Sequence, residues 1–67
     1  MKTLKKYKQN LKYTHGDKGL EIYSYNTLVA YFKVGTGLIQ DKYYSKTTQK
    51  HINYAADHFN LTLIKSF

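Results

Sequence analysis

Thr47-Thr48-Gln49-Lys50-His51-Ile52-Asn53-Tyr54-Ala55-Ala56-Asp57-His58-Phe59-Asn60 is the stretch whose periodicity is least ambiguous in this chain. Ile52, Ala55, Ala56 and Phe59 recur at i, i+3, i+4 and i+7, an apolar stripe on a helix of about three turns. Ser45, Thr47 or Thr48 is suited to cap its start, and Asn60 to end it in the left-handed conformation. A helix with one apolar face needs a second layer to cover it. β-rich sequence on both sides supplies that layer.

On the carboxyl side, Leu61-Thr62-Leu63-Ile64-Lys65 reads as a final strand. On the amino side, Leu38-Ile39 and Tyr43-Tyr44 flank Gln40-Asp41-Lys42 as a short strand, a turn and an edge strand, separated from what precedes by Gly35-Thr36-Gly37. Leu20–Tyr25 and Leu28–Val34 are rich in Tyr, Ile, Val and Phe, which favour a pleated surface, and they surround Asn26-Thr27 as a hairpin turn. Two registers stay open for that hairpin. A two-residue loop places Tyr23 and Tyr25 on the face of Leu28, Ala30 and Phe32, whereas the hydrophobic pattern pairs that face with Leu20 and Ile22. The two differ by one step, and one step turns every side chain to the opposite face. Residues 10–15 read as a strand entering the turn Gly16-Asp17-Lys18-Gly19.

The expected fold is therefore α+β: a small antiparallel sheet of four to five short strands with one packed helix, in the order β-β-β-β-α-β. Residues 10–67 form a single domain. Residues 1–9 precede it as a basic arm, frayed or weakly helical, with Leu4, Tyr7 and Leu11 at i, i+3 and i+7. At 67 residues the chain is one domain at most. A domain this small buries only about 60% of the surface its unfolded chain exposes. It has no cysteine to staple it, so it rests on its core, on a partner or on self-association. No run approaches the roughly 20 apolar residues of a membrane span. The start MKTLKKYKQNLKY lacks the apolar segment of a signal peptide, which points to the cytoplasm.

Eleven cationic residues, all lysine, face four acids (Asp17, Glu21, Asp41, Asp57), for a formal charge of +7. Lysine is a compact, strongly hydrated charge and lacks the planar fork with which arginine reads guanine. Such a surface tracks phosphates and contributes little to base readout. Lysines interleave with aromatic rings in Lys6-Tyr7-Lys8, Lys12-Tyr13, Tyr31-Phe32-Lys33 and Lys42-Tyr43-Tyr44. Proteins that hold single strands combine a positive groove with rings on which bases stack. The competing reading makes tyrosine an amphipathic core residue, its ring buried and its hydroxyl wet.

The catalytic and metal-binding patterns are thin. His51 and His58 lie seven apart, not at the i, i+4 spacing with an intervening Glu that zinc proteases use, so no metal site is expected. A serine, a histidine and an acid can be drawn together on paper from Ser45, His51 and Asp57, without a spacing rule to support them. Four acids are few for paired-carboxylate chemistry. The expectation is a non-enzymatic binding module without cofactor. Its contacts to nucleic acid, or to an acidic protein or nucleoprotein surface, would run through Lys5, Lys6, Lys8, Lys12, Lys42, Tyr43, Tyr44, Lys46, Thr47, Thr48, Lys50 and His51. The alternative is a protein–protein inhibitor or a self-associating adaptor, including a homodimer formed through the aromatic sheet face or an edge strand.

Leu20-Glu21-Ile22-Tyr23-Ser24-Tyr25-Asn26-Thr27-Leu28-Val29-Ala30, taken with Tyr43-Tyr44-Ser45-Lys46-Thr47-Thr48-Gln49-Lys50-His51-Ile52-Asn53-Tyr54, resembles a group of small phage-encoded proteins. Their pattern is a "SY-x-T-x-[VI]-A" strand pair followed by "YS-x-TT-x-KH-x-N". The resemblance spans residues 20–56. By analogy of lifestyle it implies a host-takeover or anti-defence factor acting in a bacterial cytoplasm, with no activity to carry over.

Overall fold

The structure is a computed structural model that describes residues 2–7, 9–16 and 19–67. Six strands and one helix follow the chain as β1 (Lys2–Thr3), a 3-10 turn (Lys5–Tyr7), β2 (Leu11–Gly16), β3 (Gly19–Ser24), β4 (Thr27–Lys33), β5 (Gly37–Gln40), α1 (Lys46–His58) and β6 (Leu63–Lys65). The sheet runs in chain order from β1 to β6. Neighbours are antiparallel up to β5, and β6 is parallel to β5. The α+β class with one helix is as expected. The sheet, however, is mixed and has six strands. A parallel neighbour needs a crossover connection, and α1 is that crossover. Its placement between β5 and β6 is what keeps the sheet from being purely antiparallel.

Two local expectations are corrected. Tyr43-Tyr44 is not a strand but part of an irregular link, residues 41–45, that leads from β5 to α1. The hairpin turn is Tyr25-Asn26 rather than Asn26-Thr27: both residues have positive φ (53° and 76°), and Ser24 pairs with Thr27. The register conflict is resolved by a β-bulge. Tyr23 pairs with Leu28, then Ile22 pairs with Ala30, so Val29 is the extra residue. The tight loop sets the pairing on one side of the bulge, and the hydrophobic pattern sets it on the other. Both Val29 and Ala30 are consequently buried in the core. The turn expected at Gly16–Gly19 includes Asp17 and Lys18, which lie outside the described residues; Gly16 and Gly19 pair across it.

The core lies between the sheet and α1. Leu4, Leu11, Leu20, Ile22, Val29, Ala30 and Leu38 meet Ile52, Ala55 and Ala56 there. Leu4 is buried and Lys2-Thr3 pair with β2, so the amino-terminal segment takes part in the fold. Burying the stripe of α1 against the sheet is the main stabilisation available, at about 25 cal/mol per Å² of apolar surface removed from water. The helix is bounded as its sequence suggests. The Ser45 hydroxyl accepts from the Thr48 amide at 3.1 Å. At the other end Asn60 is left-handed (φ 57°), with Asn60 N–H donating to Asp57 O at 3.1 Å and Leu61 N–H to Ala56 O at 2.8 Å. That pair of bonds is the Schellman closure.

Gly37 has little backbone freedom. Its φ is +138°, and a Cβ there would collide with the Thr62 carbonyl, which accepts from the Leu38 amide at 2.9 Å where β5 meets the segment entering β6. Gly37→Ala is expected to destabilise the domain by about 3 kcal/mol, combining backbone strain with the clash. Chemical denaturation measures this, and a loss below about 0.5 kcal/mol would contradict the close approach.

Candidate functional site

The residues that α1, the β3–β4 turn and the 3-10 turn bring together surround one buried histidine. Ser24 alternates with Leu20 and Ile22 along β3 and so points at the helix. On α1, Thr48 and His51 precede Ile52 by four residues and by one, on the arc that faces the sheet. The three side chains form a closed polar set: Ser24 Oγ lies 3.1 Å from Thr48 Oγ1 and 2.8 Å from His51 Nδ1. Ser24 is 2% exposed and His51 1% exposed. Burial pushes the His51 imidazole below its ordinary pKa. A Ser–His contact of this length is also the starting point of nucleophilic catalysis. Here the hydroxyl is enclosed and shared with a threonine, so the set is suited to fixing helix to sheet.

Aromatic rings flank the histidine. Tyr7 packs at 4.5 Å between ring centroids and Tyr25 at 5.5 Å. Tyr54 meets Tyr7 edge-on at 5.5 Å. Tyr25 stands out among them. It occupies a left-handed turn position that Asn or Gly fills at least cost, a conformation that costs an ordinary side chain on the order of 1 kcal/mol. Its ring is nevertheless 53% exposed. A costly conformation that presents an exposed ring is a feature to explain by use rather than by packing.

Lysines ring the cluster. Lys6 Nζ sits 5.6 Å from the Tyr7 centroid and 5.9 Å from that of Tyr54. Lys12 Nζ donates to Asn26 Oδ1 at 2.7 Å, which holds a cation beside the Tyr25 turn. Lys46 and Lys50 are exposed on the first turns of α1, where no acid is present. The amino end of a helix carries partial positive charge. Two lysines there, unrelieved by a carboxylate, leave a local excess of positive potential.

The expected contact residues thus separate into groups. Lys6, Lys12, Lys46 and Lys50 belong to this end of the molecule, and exposed Lys5 lies on the same 3-10 turn as Lys6. Exposed Thr47 falls on the same flank of α1 as Tyr54 by helical repeat. Lys42 Nζ lies 5.2 Å over the Tyr44 ring, and the Tyr44 hydroxyl reaches the Leu28 carbonyl at 3.4 Å. Tyr43 is exposed beside them. Thr48 and His51 are corrected: both are buried and support the surface from beneath rather than touching a partner. Lys8 lies outside the described residues.

Tyr25 is absent from the expected contact residues, and so are three buried or half-buried polar residues that support the site. Ser24 completes the histidine set, and its alternation with Leu20 and Ile22 was the available signal. Gln40, fully buried, and Gln49 exchange hydrogen bonds of 2.7 and 2.9 Å between β5 and α1. Gln40 also donates to the Lys42 carbonyl at 2.8 Å, which anchors the link carrying Tyr43 and Tyr44.

Among the described residues no group of three or more His, Cys, Asp or Glu gathers as metal ligands would. No helix among them is long and apolar enough to cross a membrane. Comparison with curated proteins and with solved structures returns no match. Residues 2–64 match the sequence model of a family of unknown function, DUF8033, and the chain belongs to that family.

Proposed function

We propose that the domain is a non-enzymatic binding module that engages single-stranded nucleic acid, alone or within a nucleoprotein complex, through the lysine–tyrosine surface at the amino-terminal end of α1. The observation that carries this reading is the exposed Tyr25 ring, held in a left-handed turn position beside Lys12 and against His51. An exposed ring among cations is what base stacking and phosphate tracking together require. The absence of arginine favours backbone contacts over base readout. A phage accessory role in the bacterial cytoplasm, of the host-takeover or anti-defence kind, is part of the proposal and rests on the resemblance of residues 20–56.

Titration of the chain with a fluorescent single-stranded oligonucleotide over a series of salt concentrations tests the reading. With about five phosphates neutralised, log K is expected to fall with log[salt] with a slope on the order of −4. Failure to bind DNA or RNA at low salt would sink it.

A further inference from the structure

The sheet has two faces, and α1 covers one of them. The pairing register assigns the other. Tyr23 and Leu28 are opposite one another, as are Tyr31 and Ile39, and Ile39 and Ile64. These five residues form a continuous apolar band across β3, β4, β5 and β6. None of them belongs to the core cluster or to the side chains packed against it. Leu28 is 42% exposed. Tyr23, Tyr31 and Ile64 are half-buried, and Ile39, flanked by Tyr31 and Ile64, is buried, so the accessible part of the band on the face away from α1 is Leu28 with Tyr23, Tyr31 and Ile64.

The charges on this face decide what fits it. Glu21 pairs with Tyr31 in the ladder and accepts a hydrogen bond from the Tyr23 hydroxyl at 3.3 Å. Burial, together with that carboxylate, holds the Tyr23 phenol above its ordinary pKa. A carboxylate within the band opposes a polyanion there. Lys12 stands opposite Tyr23, and Lys33 follows Tyr31 by two residues on the same face. The face therefore carries both signs of charge around an apolar centre, which is the condition for self-complementarity in a two-fold interface.

We infer that the sheet face bearing Tyr23, Leu28, Tyr31, Ile39 and Ile64 is the interface of a homodimer, in which Glu21 of one copy faces lysines of the other. Two sheets pack face to face at about 10 Å, with tyrosine hydroxyls reaching the rim. This face and the proposed nucleic-acid surface meet at Lys12, whose ammonium donates to Asn26 beside the Tyr25 turn, while Lys46 and Lys50 lie on α1, on the other side of the sheet.

Sedimentation or light scattering of the full chain between about 0.1 and about 100 μM, the upper part of the affinity range of protein–protein interfaces, is the test. The expected result is a dimer mass that dissociates on dilution. Leu28→Asp and Tyr31→Asp should each weaken the dimer about 30-fold or more while circular dichroism stays that of the wild type. Leu28 is already exposed, so its replacement spares the core. A measurement on the wild type alone backs the variants: in a mixed-isotope sample, the Leu28 and Ile64 methyls should show intermolecular contacts to tyrosine ring protons. A monomer throughout the range overturns the inference. So does a dimer without those methyl contacts, which would use another surface. A monomer whose oligonucleotide affinity falls in Leu28→Asp overturns it too, and assigns the face to nucleic acid.

Discussion

Replacing Lys6, Lys12, Lys46 and Lys50 together by alanine is expected to weaken binding to a single-stranded oligonucleotide about a thousandfold at roughly 50 mM salt. Each phosphate contact to a single strand contributes about 0.7 to the slope of log K against log[salt], so four lost contacts should reduce that slope by about 3. The fold should tolerate the change. Lys46 and Lys50 are exposed, and exposed cation–π contacts such as those of Lys6 are worth about 0.5–1 kcal/mol. Tyr25→Gly separates stacking from charge. It removes a ring expected to stack on a base, worth about 1–3 kcal/mol, and should leave the salt slope as it was. Glycine also suits the left-handed turn position better than tyrosine does, so stability should change little even as affinity falls. An unchanged slope in the quadruple variant would place the contact elsewhere. An unchanged affinity in Tyr25→Gly would remove the stacking half of the reading.

What the sequence disclosed follows from how local each feature is. The stripe of α1 and its left-handed Asn60 are set by neighbours within a few residues, and both were legible. The hairpin was legible up to the point where two local rules disagreed. A bulge lets both rules hold on either side of one extra residue, Val29, and nothing in the strand pattern marks which residue is extra. The site divided along similar lines. Lysines and tyrosines announce a surface by type, but only the tertiary fold shows that Tyr7 and Tyr25 close on one histidine. Thr48 and His51 are polar by type but buried by position. Both lie on the arc of Ile52 and Ala55, and Ser24 lies on the face of Leu20 and Ile22. A polar residue at a core position implies a partner at another core position, since an unpaired buried polar group costs about 1–3 kcal/mol. The Ser24–Thr48–His51 set carries that signal in the sequence.

That set is also where the domain is most vulnerable. His51→Ala removes a fully packed ring, opens a cavity under Tyr7 and Tyr25, and leaves Ser24 with one partner in place of two. The expected loss is about 3 kcal/mol. A domain of this size has a total stability of roughly 3–10 kcal/mol, so the variant should melt far below the wild type or be partly unfolded at room temperature. The same histidine gives the fold a pH dependence whose sign is fixed. Burial lowers its pKa in the folded state relative to the unfolded reference of 6.5. Above that reference both states are neutral at this position and pH has no leverage through it. As pH falls below 6.5 the unfolded chain takes up the proton first, so stability declines until the folded-state pKa is passed, and then levels. His51→Gln keeps a side chain able to hydrogen-bond to Ser24 but does not titrate. Thermal melts of the two proteins from pH 8 to pH 5, in half-unit steps (about 0.7 kcal/mol per proton per step), should show the wild type losing stability and the glutamine variant losing less. Parallel curves would mean that the buried imidazole is not the group being titrated.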